Sequence, residues 1–439
     1  MKPIARTIVF FILSIAATTS RVCAQDSASK GFDWPQWRGP NGNGVSLENE
    51  WNPGALAAGP RVLWEKDIGM GYSNVAVKGD RLYAYGILGS ENTVSCLDAE
   101  TGKTMWEYSD ESFEIPQSTP AVDGKSVFVV NKDGIIFSID AQNGRIQWKK
   151  DIVGEYGAVK PYYGFAGSPI VEGDLLILNV NTAGMALDKK TGRLAWGSEP
   201  PPADEIRDRI TDDNGATYMT PVVYEHAGKR AALIYGWKGL FSVEVLTGKP
   251  IWFYPWVNYN LARTPDPVIL ADQILLADDC VEGKDLSKRF STLLSISAKG
   301  PSVVWRSFDF YSDTASPIVI GKYIYGVYGG LYSCSSFSSV RCIDAKSGEL
   351  VWEHKLTARS SRKRWISLSA ANGKLFVVYE SGRLDVIAAT PAGYQEISGC
   401  ELPKAEDEAV RYSAAPVLSR GRLYCRNFSG MLRCIDLRN

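Results

Sequence analysis

One ten-residue pattern recurs along this chain and ends each time in tryptophan. Its clearest copies run from Leu97 to Trp106, from Ile139 to Trp148 and from Ile343 to Trp352. Successive tryptophans at this position lie 42–56 residues apart. A repeat of roughly 40–50 residues predicts an array of similar units rather than several unrelated domains. The tryptophans are Trp64, Trp106, Trp148, Trp196, Trp252, Trp305 and Trp352.

Each unit contains four short strands. Between Ser118 and Trp148, runs of Val, Ile and Phe are separated by the turn pairs Asp123-Gly124, Asp133-Gly134 and Asn143-Gly144. Such pairs between apolar runs are typical of tight antiparallel hairpins. A four-stranded antiparallel unit repeated at this spacing predicts the blades of a β-propeller.

The ends of the chain fix the number of blades. A seventh unit runs from Trp365 to about Ser398; it lacks the tryptophan, and we expect Tyr394 to mark its fourth strand. An eighth unit begins at Tyr412 and stops where its fourth strand is due, whereas the strand at 61–64 has no blade before it. Placing that strand in the last blade leaves no open edge. The sequence therefore predicts an all-β, eight-bladed propeller of four-stranded antiparallel blades, the last closed by an N-terminal strand.

The first residues predict export. Lys2 and Arg6 precede a short apolar run, and Val22 and Ala24 offer small residues around a cleavage site. We expect residues 1–24 to be a signal peptide, 25–60 a segment packed on the propeller, and 61–439 the propeller itself. Lipidation of Cys23 is the alternative. No later stretch approaches the roughly 20 apolar residues of a transmembrane segment, so we expect a periplasmic or secreted protein.

The charge balance bears on nucleic-acid binding, and the cysteine positions bear on disulfide bonds. The chain carries 48 basic and 49 acidic side chains, a balance that predicts no nucleic-acid partner. Cys96, Cys342 and Cys434 each stand two residues before the Asp of a repeat, which favours small buried residues there. Disulfides between Cys425 and Cys434, or Cys334 and Cys342, stay open as alternatives.

Residues 61–439 resemble the family of pyrroloquinoline quinone (PQQ)-type repeat proteins. The copy from Leu97 to Trp106 looks like the tryptophan-docking motif of that family, and residues 33–46 resemble the N-terminal segment of its exported members. The resemblance implies a propeller whose tryptophans dock between blades. The family includes dehydrogenases that hold PQQ and Ca²⁺ and cofactor-free scaffolds, one of which assists outer-membrane barrel assembly.

The residues that the dehydrogenases use are not evident in this sequence. It has no adjacent cysteine pair, no haem-binding Cys-x-x-Cys-His, and only two histidines, His226 and His354. The acidic pairs at 212–213 and 278–279 lack the pattern of a Ca²⁺ loop. We therefore expect no cofactor, no metal site and no catalytic residue, with PQQ and Ca²⁺ as the alternative.

The candidate binding site is the mouth of the central channel, where the connecting loops converge. Residues three or four positions before the first strand of each blade should line it, and the insertion 156–165 adds two tyrosines; further insertions lie at 252–263 and 359–365. An aromatic, mixed-charge ring suits a polar ligand or a peptide, although the aromatics could instead pack loops onto the rim. The predicted residues are Tyr72, Gln117, Tyr162, Tyr163, Ala166, Tyr218, Arg263, Asp313, Trp365 and Tyr412.

The sequence as a whole predicts a binding or scaffold protein without catalytic activity. Its loop face would be presented to a protein partner in the cell envelope or to a small polar ligand. A PQQ-dependent sugar or alcohol dehydrogenase is one alternative, and a carbohydrate-binding propeller is another.

Overall fold

The structure, a computed structural model, is all-β. It describes residues 32–110, 112–199, 218–256, 265–280, 289–312, 314–329, 338–355, 365–402 and 411–438, with the backbone alone at 278–280 and 289. These residues form strands in eight separate sheets. Within them, no helix has the length and apolar character needed to cross a membrane.

Two N-terminal strands, β1 (Val45–Ser46) and β2 (Val62–Asp67), precede the first complete blade. Blades 1 to 4 are regular four-stranded meanders in chain order. Blade 1 is β3 (Ala76–Lys78), β4 (Arg81–Leu88), β5 (Glu91–Asp98) and β6 (Thr104–Asp110); blade 2 is β7 (Ala121–Asp123), β8 (Ser126–Val130), β9 (Ile135–Asp140) and β10 (Ile146–Asp151). Blade 3 is β11 (Ile170–Glu172), β12 (Leu175–Leu178), β13 (Met185–Asp188) and β14 (Leu194–Gly197); blade 4 is β15 (Val222–His226), β16 (Lys229–Gly236), β17 (Gly239–Glu244) and β18 (Pro250–Pro255).

Blades 5 to 7 continue the same order, and blade 8 supplies only three strands of its own. Blade 5 is β19 (Val268–Leu270), β20 (Gln273–Cys280), β21 (Arg289–Ser297) and β22 (Gly300–Ser307); blade 6 is β23 (Ile318–Ile320), β24 (Tyr323–Tyr328), β25 (Ser339–Asp344) and β26 (Leu350–Lys355). Blade 7 is β27 (Ile366–Ala371), β28 (Lys374–Tyr379), β29 (Arg383–Ala388) and β30 (Glu396–Glu401); blade 8 is β31 (Val417–Ser419), β32 (Arg422–Arg426) and β33 (Met431–Asp436).

The N-terminal strand β2 completes blade 8. It pairs antiparallel with β33, with Trp64 opposite Cys434, and the sheet has the order β2-β33-β32-β31. The first strand of each blade is the innermost, and neighbouring inner strands lie side by side around the channel. The predicted eight-bladed propeller, closed by an N-terminal strand, is confirmed.

The repeated motif joins each blade to the next. The Asp98 carboxylate accepts the N–H groups of Glu100 and Thr101 at 3.1 and 2.8 Å, which shapes the hairpin before β6. Gly102 follows at φ +70°, and a Cβ there would lie 2.6 Å from the ring of Trp64 on the preceding blade. The glycine therefore serves both the turn and the close approach of the indole.

Most of the motif tryptophans donate a hydrogen bond to the next blade. The indole N–H reaches the backbone carbonyl one residue after the motif Asp position, or two residues after it in blade 7, while the ring packs in the core between the blades. The bonds are Trp64 to Ala99 (3.3 Å), Trp106 to Ala141 (3.1 Å), Trp148 to Lys189 (3.0 Å), Trp196 to Val245 (2.8 Å), Trp305 to Ala345 (3.1 Å) and Trp352 to Thr390 (2.9 Å). Trp252 instead donates to the hydroxyl of Tyr224 within its own blade, at 3.1 Å.

Trp51, from outside the repeats, takes the place of the tryptophan that blade 7 lacks. Ser398 stands at the motif position, and its hydroxyl donates to the Pro53 carbonyl at 2.5 Å. Trp51 packs in the core between blades 7 and 8, with its ring 4.9 Å from that of Phe376. The Asn52 N–H donates to the Leu437 carbonyl at 2.7 Å, where an indole N–H would donate in the regular junctions.

Two details of the sequence predictions are settled by the strands. Tyr394 lies just before β30 instead of within it, and its ring stacks on His354 at 3.9 Å. Cys425 and Cys434 lie on opposite faces of blade 8, in different core clusters, so they do not pair across the hairpin. The five described cysteine side chains are free and buried; Cys334 lies outside the described residues.

Candidate functional site

A belt of hydrogen bonds runs around the channel from blade 1 to blade 6, just before the inner strands. At this position, the backbone N–H of one blade donates to the side-chain oxygen of the next. The bonds run from Asn74 to Thr119 (2.8 Å), Thr119 to Ser168 (2.9 Å), Ser168 to Thr220 (3.0 Å), Thr220 to Asp266 (2.9 Å) and Asp266 to Ser316 (2.9 Å). The belt holds the inner strands together and occupies backbone N–H groups that could otherwise pair with an extended peptide.

The N-terminal segment closes one end of the channel. Trp34 pairs with Val77 of blade 1, and the Pro35 carbonyl accepts the N–H of Val122 in blade 2. The chain then crosses the channel: Arg38 donates to the Pro317 carbonyl at 2.7 Å, and β1 pairs in parallel with β27 of blade 7. Residues 33–46, which we call the cap, thus bind to blades on both sides of the axis.

Trp37 of the cap and Asp266 of the belt together form the floor of the channel. The Trp37 indole N–H donates to the Asp266 carboxyl at 2.6 Å. Asp266 is 2% exposed, and this burial raises the pKa of its carboxyl, while the nearby Arg38 guanidinium and the Trp37 bond oppose the rise. Asp266 is the carboxyl of the belt, where the other described positions have hydroxyl, amide or methyl side chains.

A cavity of about 410 Å³ opens above this floor, on the face where the loops between blades meet. Its size is typical of a site for a small organic ligand. Its described lining comprises Trp37, Tyr72, Ile115, Gln117, Lys132, Tyr163, Ala166, Ser168, Tyr218, Thr220, Asp266, Thr314, Trp365, Ile366, Ser367, Arg411 and Ser413.

Aromatic rings form two walls of this cavity. On one side, Tyr72 lies 5.5 Å from Trp365 and 4.6 Å from Phe428, ring centre to ring centre. On the other, Tyr163 lies 5.8 Å from Tyr218, whose hydroxyl accepts the Tyr163 N–H at 3.1 Å. Partial burial raises the pKa of the Tyr72 hydroxyl, which therefore stays a neutral donor at physiological pH.

The two cationic groups of the described lining are each close to a carboxylate. Lys132 lies 3.2 Å from Glu114, and the Arg411 guanidinium lies 3.6 Å from Glu380. These pairs leave the lining with little net charge from its basic side chains. The described lining therefore offers aromatic faces and hydrogen-bonding groups to a ligand.

Six of the predicted loop-face residues line the cavity, and five of them share one register. Each stands three positions before the proline, or its equivalent, at the start of an inner strand; Tyr163, from the insertion, joins them. In blades 6 and 8 the third position is Thr314 and Ser413, which the prediction missed by counting four. The five are Tyr72, Gln117, Ala166, Tyr218 and Trp365.

Of the four remaining predicted residues, the two that the structure describes do not line the cavity. Tyr412 is 1% exposed in the core between blades 7 and 8, where its hydroxyl accepts from Arg433 at 2.6 Å. Its neighbours Arg411 and Ser413 face the cavity instead, as the alternation of an extended chain requires. Tyr162 is 56% exposed and is not part of the lining. Arg263 and Asp313 lie outside the described residues.

The described lining fits poorly with PQQ held by Ca²⁺. Asp266 is its one carboxyl, and both oxygens already accept hydrogen bonds, from Trp37 and from Thr220. Ca²⁺ takes six to eight oxygen ligands, and the described residues contain no cluster of metal-binding side chains. His226 and His354 do not line the cavity.

Comparison with known protein families identifies the family to which the chain belongs. A family model described as outer membrane protein assembly factor BamB matches residues 54–307 and 338–439. The chain belongs to this family of PQQ-type repeat propellers. It is also 30% identical, over 131 residues, to a quinohemoprotein alcohol dehydrogenase ADH IIB from Pseudomonas putida. That match covers 26% of this chain and 18% of the dehydrogenase, so the chain spans less than a fifth of that relative.

The fold of this chain is similar to that of solved BamB and quinohemoprotein alcohol dehydrogenase structures. BamB from Moraxella catarrhalis is similar at 15% identity and a TM-score of 0.58, over 86% of this chain and 98% of that one. A quinohemoprotein alcohol dehydrogenase from Comamonas testosteroni is similar at 14% identity and a TM-score of 0.65, over 94% and 81%. Such identities show the fold alone, so function has to be argued from the site.

Proposed function

We propose that this chain is an exported binding protein that holds a small polar organic ligand in the cavity above Trp37 and Asp266. The observation that carries the proposal is the asymmetric lining of that cavity. Two aromatic walls come from different blades, and Gln117, Lys132 and Arg411 add hydrogen-bonding groups between them. A concave site with aromatic walls and a few placed polar groups is the usual form of a small-ligand site.

The lining favours binding over catalysis. A general base needs hydrogen-bonding reach to the reacting atom and a suitable pKa. In the described lining the one carboxyl, Asp266, is engaged by Trp37 and by the belt, and neither histidine lies there. The cavity therefore has the means to recognise a ligand, while its described residues form no nucleophile–base pair.

A ligand-detected NMR screen of polar metabolites tests the proposal. Tyr163→Ala should weaken binding of any hit at least about tenfold, because it removes one aromatic wall. Phe113→Ala is the matched control, since this aromatic side chain is 70% exposed and lies outside the lining. Hits that survive Tyr163→Ala, or a screen without hits, would contradict the proposal.

The family match favours a second function, the binding of a protein partner in the cell envelope. The matching model is named for outer-membrane protein assembly. Exposed aromatic side chains such as Tyr162 and Phe113, which is 70% exposed, are available on this chain for such contacts. Cross-linking in envelope extract tests it: a specific partner lost in a Phe113→Ser, Tyr162→Ser double variant is the expected result, and unchanged cross-linking would contradict it.

The resemblance to quinohemoprotein alcohol dehydrogenases supports a direct test for an enzyme. The protein is titrated with PQQ, with and without Ca²⁺, and dye-linked oxidation of sugars and alcohols is then measured. We expect neither stoichiometric binding nor turnover. Turnover would replace the binding proposal with a quinoprotein activity.

A further inference from the structure

A second, smaller cavity lies between the cap and the inner strands. Its volume is about 60 Å³, and it shares Trp37, Thr314, Ser367 and Ser413 with the larger cavity. On this measure roughly 10–15 Å³ suffices for one water molecule. The small cavity therefore has room for a halide ion or a small carboxylate group.

Three buried side chains that carry unpaired donors line this cavity. The Arg38 side chain is 8% exposed, and its Nε and Nη1 atoms have no hydrogen-bond partner among the described residues. The same holds for the Trp34 indole N–H and the Ser369 hydroxyl, on residues that are 2% and 1% exposed. An unpaired buried donor costs about 1–3 kcal/mol, so four such atoms on three side chains of one small cavity require an explanation.

The neighbouring carboxyl does not satisfy these donors. Asp266 acts electrostatically on Arg38, but its oxygens accept from Trp37 and from the Thr220 N–H, and no hydrogen bond joins it to Arg38. Arg38 does donate from Nη2 to the Asn43 and Pro317 carbonyls, at 3.0 and 2.7 Å. The remaining guanidinium donors thus lack a negatively charged acceptor in contact.

We propose that this cavity is an anion-binding site, formed by Arg38 and Trp34 of the cap with Ser369 of blade 7. The guanidinium and the indole can only donate hydrogen bonds, and the hydroxyl can donate one as well as accept. A bound anion would accept from all three and balance a buried cation, as buried charges require. It would also bind the cap to the ring.

The anion has two sources with the same chemistry. It can be a free inorganic ion, or it can be the carboxylate of a small molecule that enters through the larger cavity, whose lining the small cavity shares. Sodium bromide probes the first source, and sodium formate probes the second. The site itself does not depend on what the larger cavity binds.

Crystals of the protein grown without halide and soaked in sodium bromide give the direct test. An anomalous peak within hydrogen-bonding distance of Arg38, Trp34 and Ser369 supports the proposal for a free anion. A carboxylate seen there only after formate soaking assigns the site to carboxylates. If neither a bromide peak nor a formate molecule is found at this position, the proposal is wrong.

Unfolding midpoints give a second test in solution. At constant ionic strength, the anion that binds should raise the midpoint by at least about 2 °C relative to bulky gluconate, because a ligand of the folded state stabilises it. Ser369→Ala should halve this response or more, and Arg38→Met should abolish it. Arg38→Lys retains the charge and should keep part of it.

Matched controls separate the site from general loss of buried polar groups. Ser291→Ala removes a buried hydroxyl that also lacks a partner among the described residues but does not line the cavity. Trp51→Phe does the same for an indole N–H between blades 7 and 8. Both should keep the full anion response. If they lose it as Ser369→Ala does, the anion acts elsewhere and the proposal is wrong.

Discussion

The outer junctions between blades and the inner ring around the channel are built from the same repeat, but they differ in how uniform they are. Outside, most junctions use the same indole, carbonyl and hairpin glycine, as Trp106, Ala141 and Gly144 do. Inside, one structural position carries a tyrosine in blade 1, a glutamine in blade 2 and a tryptophan in blade 7. A uniform ring cannot orient a small asymmetric ligand, whereas a varied one can. The repeated positions thus maintain the fold, and the varied ones line the candidate site.

The largest effect is expected at a regular junction. Trp106→Ala should lower the free energy of unfolding by about 3–5 kcal/mol, because it leaves a cavity between blades 1 and 2 and removes the bond to Ala141. Urea unfolding measures the change. Ligand affinity of the folded variant should stay within about twofold of the wild type, and a loss of less than about 1 kcal/mol would contradict the role of this junction.

The irregular junction between blades 7 and 8 should behave like the others. Trp51→Ala should cost about 2–4 kcal/mol, since the indole fills the space that the motif tryptophan fills elsewhere. Leu47→Ala, on the same segment but 49% exposed, is the control and should change stability by less than about 1 kcal/mol. Equal effects of the two changes would show that Trp51 is not a substitute for the missing residue.

A smaller effect separates the backbone conformation of a glycine from its contact. Gly144→Ala should cost about 2–3 kcal/mol, because its Cβ would lie 2.8 Å from the Trp106 ring and φ is +75°. Gly124→Ala, at φ +57° in the same blade, has no atom within 4 Å of its Cβ and should cost only about 1 kcal/mol. If urea unfolding shows equal losses of stability for the two variants, the backbone conformation accounts for the whole effect and the contact with Trp106 adds nothing.

The smallest effect concerns Asp266 and pH. Its pKa is raised in the folded state by burial, so the protonated form is favoured there, and its contribution to stability is lost as pH rises through the folded pKa. Asp266→Asn should remove this pH dependence and keep an oxygen for the Thr220 N–H. The stability of the variant relative to wild type should therefore rise between pH 4 and pH 7. If the stabilities of the wild type and the variant change in parallel with pH, burial does not raise the pKa of Asp266.

The fold could be predicted because its signals are local. The hairpin glycines and motif tryptophans recur at a steady spacing, and the missing fourth strand of blade 8 has one candidate, the segment at 61–64. Trp51 escaped prediction because its role depends on a contact between the segment before the repeats and blades 7 and 8.

The site was predicted only in part, because a register error of one residue moves a side chain to the other side of an extended chain. Counting three positions back identified Tyr72 and Trp365, whereas counting four in blade 8 selected Tyr412, which is buried, in place of Ser413. Arg38 and Asp266 gave no usable signal, since their proximity arises only when the cap crosses the channel.

One paired measurement tests the division between inner and outer rings most directly. Trp365→Ala and Trp106→Ala remove the same side chain from the cavity wall and from a blade junction. With the best ligand of the NMR screen, calorimetry gives Kd and urea unfolding gives stability for each variant. We predict that Trp365→Ala weakens binding at least about tenfold with a stability loss below about 1.5 kcal/mol, and that Trp106→Ala does the reverse. Unchanged affinity in Trp365→Ala, or parallel losses of affinity and stability in both variants, would contradict this account.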